Sequence, residues 1–218
     1  RRNLTTRPRD FGQDFLARGL GALLLTSQDY VAAQRRRRQL LAEMHGVWGR
    51  FDVLLAPSAG GPAPRLDAHK TKTFWTTPSI LTPFDVTAGP ALSLCSGFSE
   101  SGLPLGVQLV GRPFDDARVL AIGSALEQEI SDRSRRPDVS AGPPTVEAAP
   151  VLGPPDINLA PGETQRIEAI AAAAGFPLDD FLFGLVAEAA PYAWAMGRRL
   201  DRDYGFGDEP SNVFVHQR

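Results

Sequence analysis

Acyl-transfer chemistry at neutral pH needs an activated hydroxyl or thiol, a base to take its proton, and N–H donors aimed at the developing oxyanion. The sequence holds two lysines, Lys70 and Lys72, both in the polar stretch Asp67-Ala68-His69-Lys70-Thr71-Lys72-Thr73. A lysine acts as a base only where burial holds it neutral, well below its usual value near ~10.4. A stretch of this polarity predicts solvated ammonium groups instead. His45, His69 and His216 are scattered, none at ligand spacing from another His, Cys or acidic cluster, so no metal site is expected. There is no GxSxG elbow to hold a serine on a strained turn. The single cysteine, Cys95, lies in the apolar run Ala91 to Cys95 and reads as a small buried hydrophobe rather than a nucleophile. With no partner for a disulfide, it places the chain by default in the cytoplasm. No catalytic residue is assigned, and no cofactor is called for.

Charge narrows the partners. Arg35 to Arg38 form a four-residue basic run, but consecutive residues fan around a helix and cannot make one patch. A solvated helix with pairing to Glu43 is the expectation. A net charge of -2 and a pI near 6.0 give no field that would draw nucleic acid, so a small-molecule partner is favoured. The longest apolar stretch, near Leu20 to Leu25, falls far short of the roughly 18 residues of a membrane span, and no membrane partner is expected. Oligomeric state is left open, a homo-oligomer included.

The elements that would carry these residues follow from periodicity. Phe11, Phe15, Leu16, Leu20, Leu23 and Leu24 recur at helical spacing, with Gly19 and Gly21 allowing close packing. A second helix should start at an N-cap residue, Ser27 or Asp29, and run to about Gly49. Asp52 to Ala56 reads as a short buried strand closed by Pro57. Ala91 to Cys95 and Leu105 to Val110 read as strands that could pair across a turn at Ser101-Gly102. A helix over 117–130 follows, with a stripe of Val119, Leu120, Ile122, Leu126 and Ile130. Residues 132–162 gather Pro, Gly, Ser and Asp, including Gly142-Pro143-Pro144 and Gly153-Pro154-Pro155, as linkers do. Two more helices are expected at about 161–174 and 178–201, separated by Gly175, before a tail beginning Tyr204-Gly205-Phe206-Gly207.

One run is more specific than periodicity. Thr82-Pro83-Phe84-Asp85-Val86-Thr87-Ala88-Gly89-Pro90-Ala91-Leu92-Ser93-Leu94-Cys95-Ser96-Gly97-Phe98, then Ser101-Gly102-Leu103-Pro104-Leu105-Gly106-Val107-Gln108-Leu109-Val110-Gly111-Arg112-Pro113-Phe114, resembles the closing segment of the amidase-signature family. Upstream, Asp10-Phe11-Gly12, Asp29-Tyr30, Ala33-Gln34-Arg35 and Val53 to Pro57 resemble that family's paired helices and next strand, in the same order.

The resemblance implies an α/β fold, the C-terminal portion of the amidase-signature mixed sheet flanked by helices, with a small all-helical tail added. Together with the Pro/Gly composition and the helical periodicity, it divides the chain into 1–131, a Pro/Gly-rich linker at 132–162, and a helical segment with extended tail at 163–218, similar to small helical companions found beside some amidases. It also implies hydrolysis of a carboxamide by a Ser, cis-Ser, Lys triad through an acyl-enzyme. The glycine- and serine-rich loop that carries that family's nucleophile does not occur in this sequence; the nearest match, Ser58-Ala59-Gly60-Gly61, lacks the second serine. The chain, which starts Arg1-Arg2-Asn3-Leu4, is therefore expected to be a fragment, inactive alone, whose partner is the missing N-terminal half and whose substrate is a small amide. In the family the loop before the Ala91 strand lies over the acyl site, making Phe84, Asp85 and Thr87 the candidate substrate-binding residues. Asp85 stands where relatives commonly carry Asn, exchanging a donor and acceptor for an acceptor-only carboxylate if ionised. The competing expectation is a non-catalytic adaptor module that keeps the fold and has lost the chemistry.

Overall fold

A computed structural model describes residues 2–65, 72–130, 135, 153–200 and 202–203. Lys70, His69, His216, Gly142 to Pro144 and the tail from Tyr204 lie outside the described residues. In chain order the elements are α1 (Arg2–Thr6), a short 3-10 turn (Pro8–Asp10), α2 (Gln13–Gly19), a 3-10 segment (Leu20–Leu24), α3 (Ser27–Trp48), β1 (Val53–Pro57), α4 (Thr73–Thr76), α5 (Thr82–Thr87), β2 (Ala91–Phe98), β3 (Pro104–Gly111), α6 (Asp116–Ile130), α7 (Glu163–Ala173) and α8 (Asp180–Arg199). The result is a mixed α/β fold with a small sheet flanked by helices.

The described residues fall into two compact units. One takes its residues from Arg1–Arg36, Leu66–Thr77 and Pro150–Arg218; the other from Arg37–Arg65 and Pro78–Ala149.

The first unit is helical. Its core joins Leu16, Leu20 and Leu24 to Ile167, Leu182, Leu185, Val186, Ala190 and Trp194, so the amphipathic stripe near the start of the sequence meets the stripe of α8. The N-terminal stripe is not one continuous helix: α2 ends at Gly19 and the chain tightens to 3-10 over Leu20–Leu24. Gly21 is required there, because a Cβ would come 2.8 Å from the Trp75 ring and 3.3 Å from Ala189 Cβ. Trp75 is half-buried with its ring against Gly21, while Phe74 is half exposed with the Arg18 guanidinium 5.2 Å from its ring centre. Gly21→Ala should cost about 1–3 kcal/mol by overpacking against the indole, read as a lowered urea midpoint. Gly175 stops α7 at φ 61. The Pro/Gly stretch is not free at its described end: Pro155 packs on Gly184, and the Asp156 N–H donates to the Glu188 carboxylate on α8 at 2.8 Å.

The cap of α3 lies one residue before the sequence expectation. Thr26 is the N-cap: its hydroxyl accepts from Asp29 N at 3.1 Å, and the Asp29 carboxylate accepts from Thr26 N and Oγ1 at 2.8 and 2.7 Å. This is a reciprocal capping box with Asp in the returning position. The Thr26 hydroxyl and amide, followed by the Arg202 guanidinium, hold the Asp29 carboxyl below the usual carboxylate range. A depressed folded value means the cap's contribution is whole above the unfolded aspartate value near ~3.9 and is lost as pH falls through the folded value. Asp29→Asn should cost about 1 kcal/mol at pH 7, and the gap from wild type should close as urea titrations move down through the carboxylate range.

The second unit is built on an antiparallel sheet of order β1-β3-β2. The hairpin expected of β2 and β3 is present, with a register shift between Cys95 and Gly97. β3 is the central strand, which buries Gln108, Leu109 and Val110. β1, expected to be buried, is an edge strand with Leu55 61% exposed. The Cys95 expectation is likewise corrected: on edge strand β2 it shares the outward alternation of Ala91 and Ser93 and is exposed, because period-2 geometry and not local hydropathy decides its face. Against β2 and β3 lies α6, through a stripe narrower than expected: Val119 and Gly123 are buried and Leu120 is 59% exposed. A Cβ at Gly123 would fall 2.2 Å from Leu92 Cδ2, so the helix approaches as closely as glycine permits.

Candidate functional site

The candidate substrate-binding residues sit on α5, a short helical segment rather than the loop expected. Pro83 near its start presets the helical φ. The Thr87 hydroxyl turns back onto the carbonyls of Pro83 and Phe84 at 2.9 and 3.3 Å and is buried. The turn ends at Ala88, in the left-handed region at φ 55, whose N–H returns to Asp85 O at 3.3 Å. Gly89 then passes directly over the end of β3, where a Cβ would stand 2.4 Å from Gly111 O, and Gly111 N donates to Pro90 O at 2.9 Å.

This turn forms one side of an open cavity of about 410 Å³ lined by Phe84, Asp85, Ala88, Gly89, Pro90, Phe114 and Asp116. Phe84 and Asp85 are therefore brought together at one mouth; Thr87 does not line it and acts on the turn from behind. Phe114 and Asp116 come from the connection between β3 and α6 and the start of that helix, and Phe114, like Ala88, has positive φ (67). Two non-glycine residues in the left-handed region on one cavity wall concentrate backbone strain of order ~1–3 kcal/mol each there. Sequence reasoning assigned no site role to Phe114 or Asp116. Nothing about a phenylalanine signals left-handed backbone, and Asp116 joins the site only because β3 and the end of α5 meet at Gly89 and Gly111.

Chemically the wall offers two aromatic rings and two carboxyl groups, with no hydroxyl, thiol, amine or imidazole side chain among the residues that line it. In the same unit Ser58 Oγ and Ser93 Oγ lie 2.7 Å apart, at a point where Gly106 leaves room for Ser58. Lys72, in the other unit, is held by Asp156, whose hydrogen bond and charge raise its value above that of a free lysine. A raised value is opposite to what a general base needs. The stabilisation it brings is complete below the unfolded lysine value near ~10.4 and is lost as pH rises through the folded one. No cluster of three His, Cys, Asp or Glu able to hold a metal occurs among the described residues, and no helix among them is long and apolar enough to cross a membrane.

A second cavity, of about 420 Å³, lies in the helical unit between Ser27, Gln28, Val31, Arg35 and Arg202.

A family model described as Amidase matches residues 5–120. A fatty acid amide hydrolase of Medicago truncatula is 35% identical over 119 residues, covering 51% of this chain and 20% of that protein. A glutamyl-tRNA(Gln) amidotransferase component from Synechococcus sp. (strain CC9902) is 33% identical over 140 residues, covering 61% of this chain and 28% of its own length. A crystal structure of an amidase superposes with a TM-score of 0.50 at 29% identity, covering 60% of this chain and 31% of that one. The chain thus spans less than a third of the length of each.

Proposed function

This chain belongs to the amidase family over residues 5–120, and from that premise we propose that it is part of an enzyme hydrolysing a carboxamide by a Ser, cis-Ser, Lys acyl-enzyme mechanism, with the triad supplied by chain outside these 218 residues. In that mechanism a desolvated neutral lysine takes the proton of a bridging serine, which takes that of the nucleophilic serine as it adds to the amide carbonyl. The amine leaves with a proton, and water then releases the acid. The present residues supply a wall of the acyl pocket: Phe84 packs against the substrate, Asp85 accepts from its N–H groups, and Thr87 holds the turn that presents both. Further partners in this reading are the remaining part of the enzyme, a small amide and, in assembly, a second copy of the chain; the compartment is the cytoplasm.

The observation that supports this most directly is that the Phe84–Asp85 cavity falls within the stretch that matches the family. The fatty acid amide hydrolase and the amidotransferase differ in the substrate their names carry, so the substrate is left as a carboxamide. The test is to incubate the chain alone with simple primary amides and measure ammonia. No turnover is expected, and turnover abolished by Lys72→Met would overturn the reading. In parallel, a benzamide titration should shift the amide resonances of Phe84 and Asp85, and Asp85→Asn should change its affinity.

A further inference from the structure

Four consecutive arginines on a helix are expected to be solvated, yet within the run Arg35 to Arg38 the Arg37 Nε donates to the Val86 carbonyl at 2.7 Å in a part-buried contact. Val86 lies in the last turn of α5, where carbonyls have no intrahelical partner. The neighbouring carbonyls are satisfied locally, Pro83 and Phe84 by the Thr87 hydroxyl and Asp85 by Ala88 N. A guanidinium at a helix C-terminus is favoured both by the charge-assisted hydrogen bond and by the negative end of the turn.

We propose that Arg37 is the positioning residue of the Phe84–Asp85 cavity: by clamping the Val86 carbonyl, it holds α5 and the left-handed Ala88 in the geometry that presents Phe84 and Asp85 to a carboxamide. The inference rests on the proposed function for the identity of the ligand, though not for the clamp. A six-residue helix ending in an alanine with φ 55 does not hold itself. The arginine supplies a tether from outside the turn, and it is carried on the long α3. Arg36, one position away, presents a different helix face and serves as control.

The test uses the whole chain and two readouts. Backbone amide exchange at Ala88 should quicken about 10-fold or more in Arg37→Met, the scale of losing one hydrogen bond to a charged group, while exchange at Leu92 and Leu109 in the sheet stays unchanged. Arg37→Lys, which keeps the charge and one donor, should recover part of the protection, and Arg36→Gln should leave it intact. Benzamide affinity should fall with Ala88 protection across the same set. Unchanged exchange at Ala88, or equal quickening of Ala88 and the sheet amides, overturns the clamp. An affinity loss confined to ligands carrying an anion also overturns it, since the guanidinium would then be reading the ligand and not the turn. If the wild-type chain does not bind benzamide, it is the carboxamide reading of the cavity that fails, and the exchange results still decide the role of Arg37.

Discussion

Gly89→Ala should destabilise the sheet-containing unit by about 3 kcal/mol, the upper part of the range for overpacking, and remove the cavity with it. The new methyl would stand 2.4 Å from the Gly111 carbonyl oxygen. Both partners are backbone, so no side chain can rotate away; either the α5–β2 turn lifts or β3 bends. Lifting the turn breaks the Gly111 N to Pro90 O bond, and bending β3 strains the strand on which both edges of the sheet are paired. The neighbouring change should have the opposite sign. Ala88 sits at φ 55, where an alanine is strained by roughly 1 kcal/mol relative to glycine, a gain partly offset by the extra freedom glycine brings to the unfolded chain. Ala88→Gly should therefore stabilise by less than about 1 kcal/mol. Urea titrations of the two variants, one midpoint lower and one slightly higher, check the turn geometry from both sides.

How far the sequence carried these conclusions differs by element. The β2–β3 hairpin and the helices α3, α6, α7 and α8 were legible because each has a stretch of one period long enough to stand out, and the family resemblance across Thr82 to Phe114 was borne out by the match over residues 5–120. Exposure was less legible. Leu55 and Cys95 lie in apolar runs, yet both sit on edge strands of a three-stranded sheet, and strand order cannot be read from local hydropathy. The same holds for Leu120, apolar and in helical register but one position off the face that α6 turns to the sheet. At the site, Phe84 and Asp85 follow from the resemblance. The places of Phe114 and Asp116 on the cavity wall and the Arg37–Val86 contact do not, because they arise from backbone angles and from a contact 49 residues away in sequence. A tetra-arginine run offers no local sign of which member will reach Val86.

Leu185→Ala should be the costliest single truncation in the helical unit, at about 2–5 kcal/mol. Leu185 is fully buried in a core whose other members come from α2, the 3-10 segment Leu20–Leu24, α7, α8 and Phe176 between the last two, so the cavity it leaves is walled by several elements that cannot all close in. Trp194, also in that core, should respond differently to a shape-preserving change. Its indole N–H is buried and finds no hydrogen-bond partner among the described residues, while Arg166 lies 4.4 Å from its ring centre. Trp194→Phe loses volume but also removes a desolvated donor whose burial costs ~1–3 kcal/mol, so its net cost should fall below that of Leu185→Ala despite the bulk of the indole it replaces. Because α8 shares its core with the N-terminal helices, both variants should weaken protection in α2 as well as in α8. Native-state hydrogen exchange showing α8 opening alone, with Leu16 and Leu20 still protected, would mean that the C-terminal helices are an appendage and not part of the unit's core.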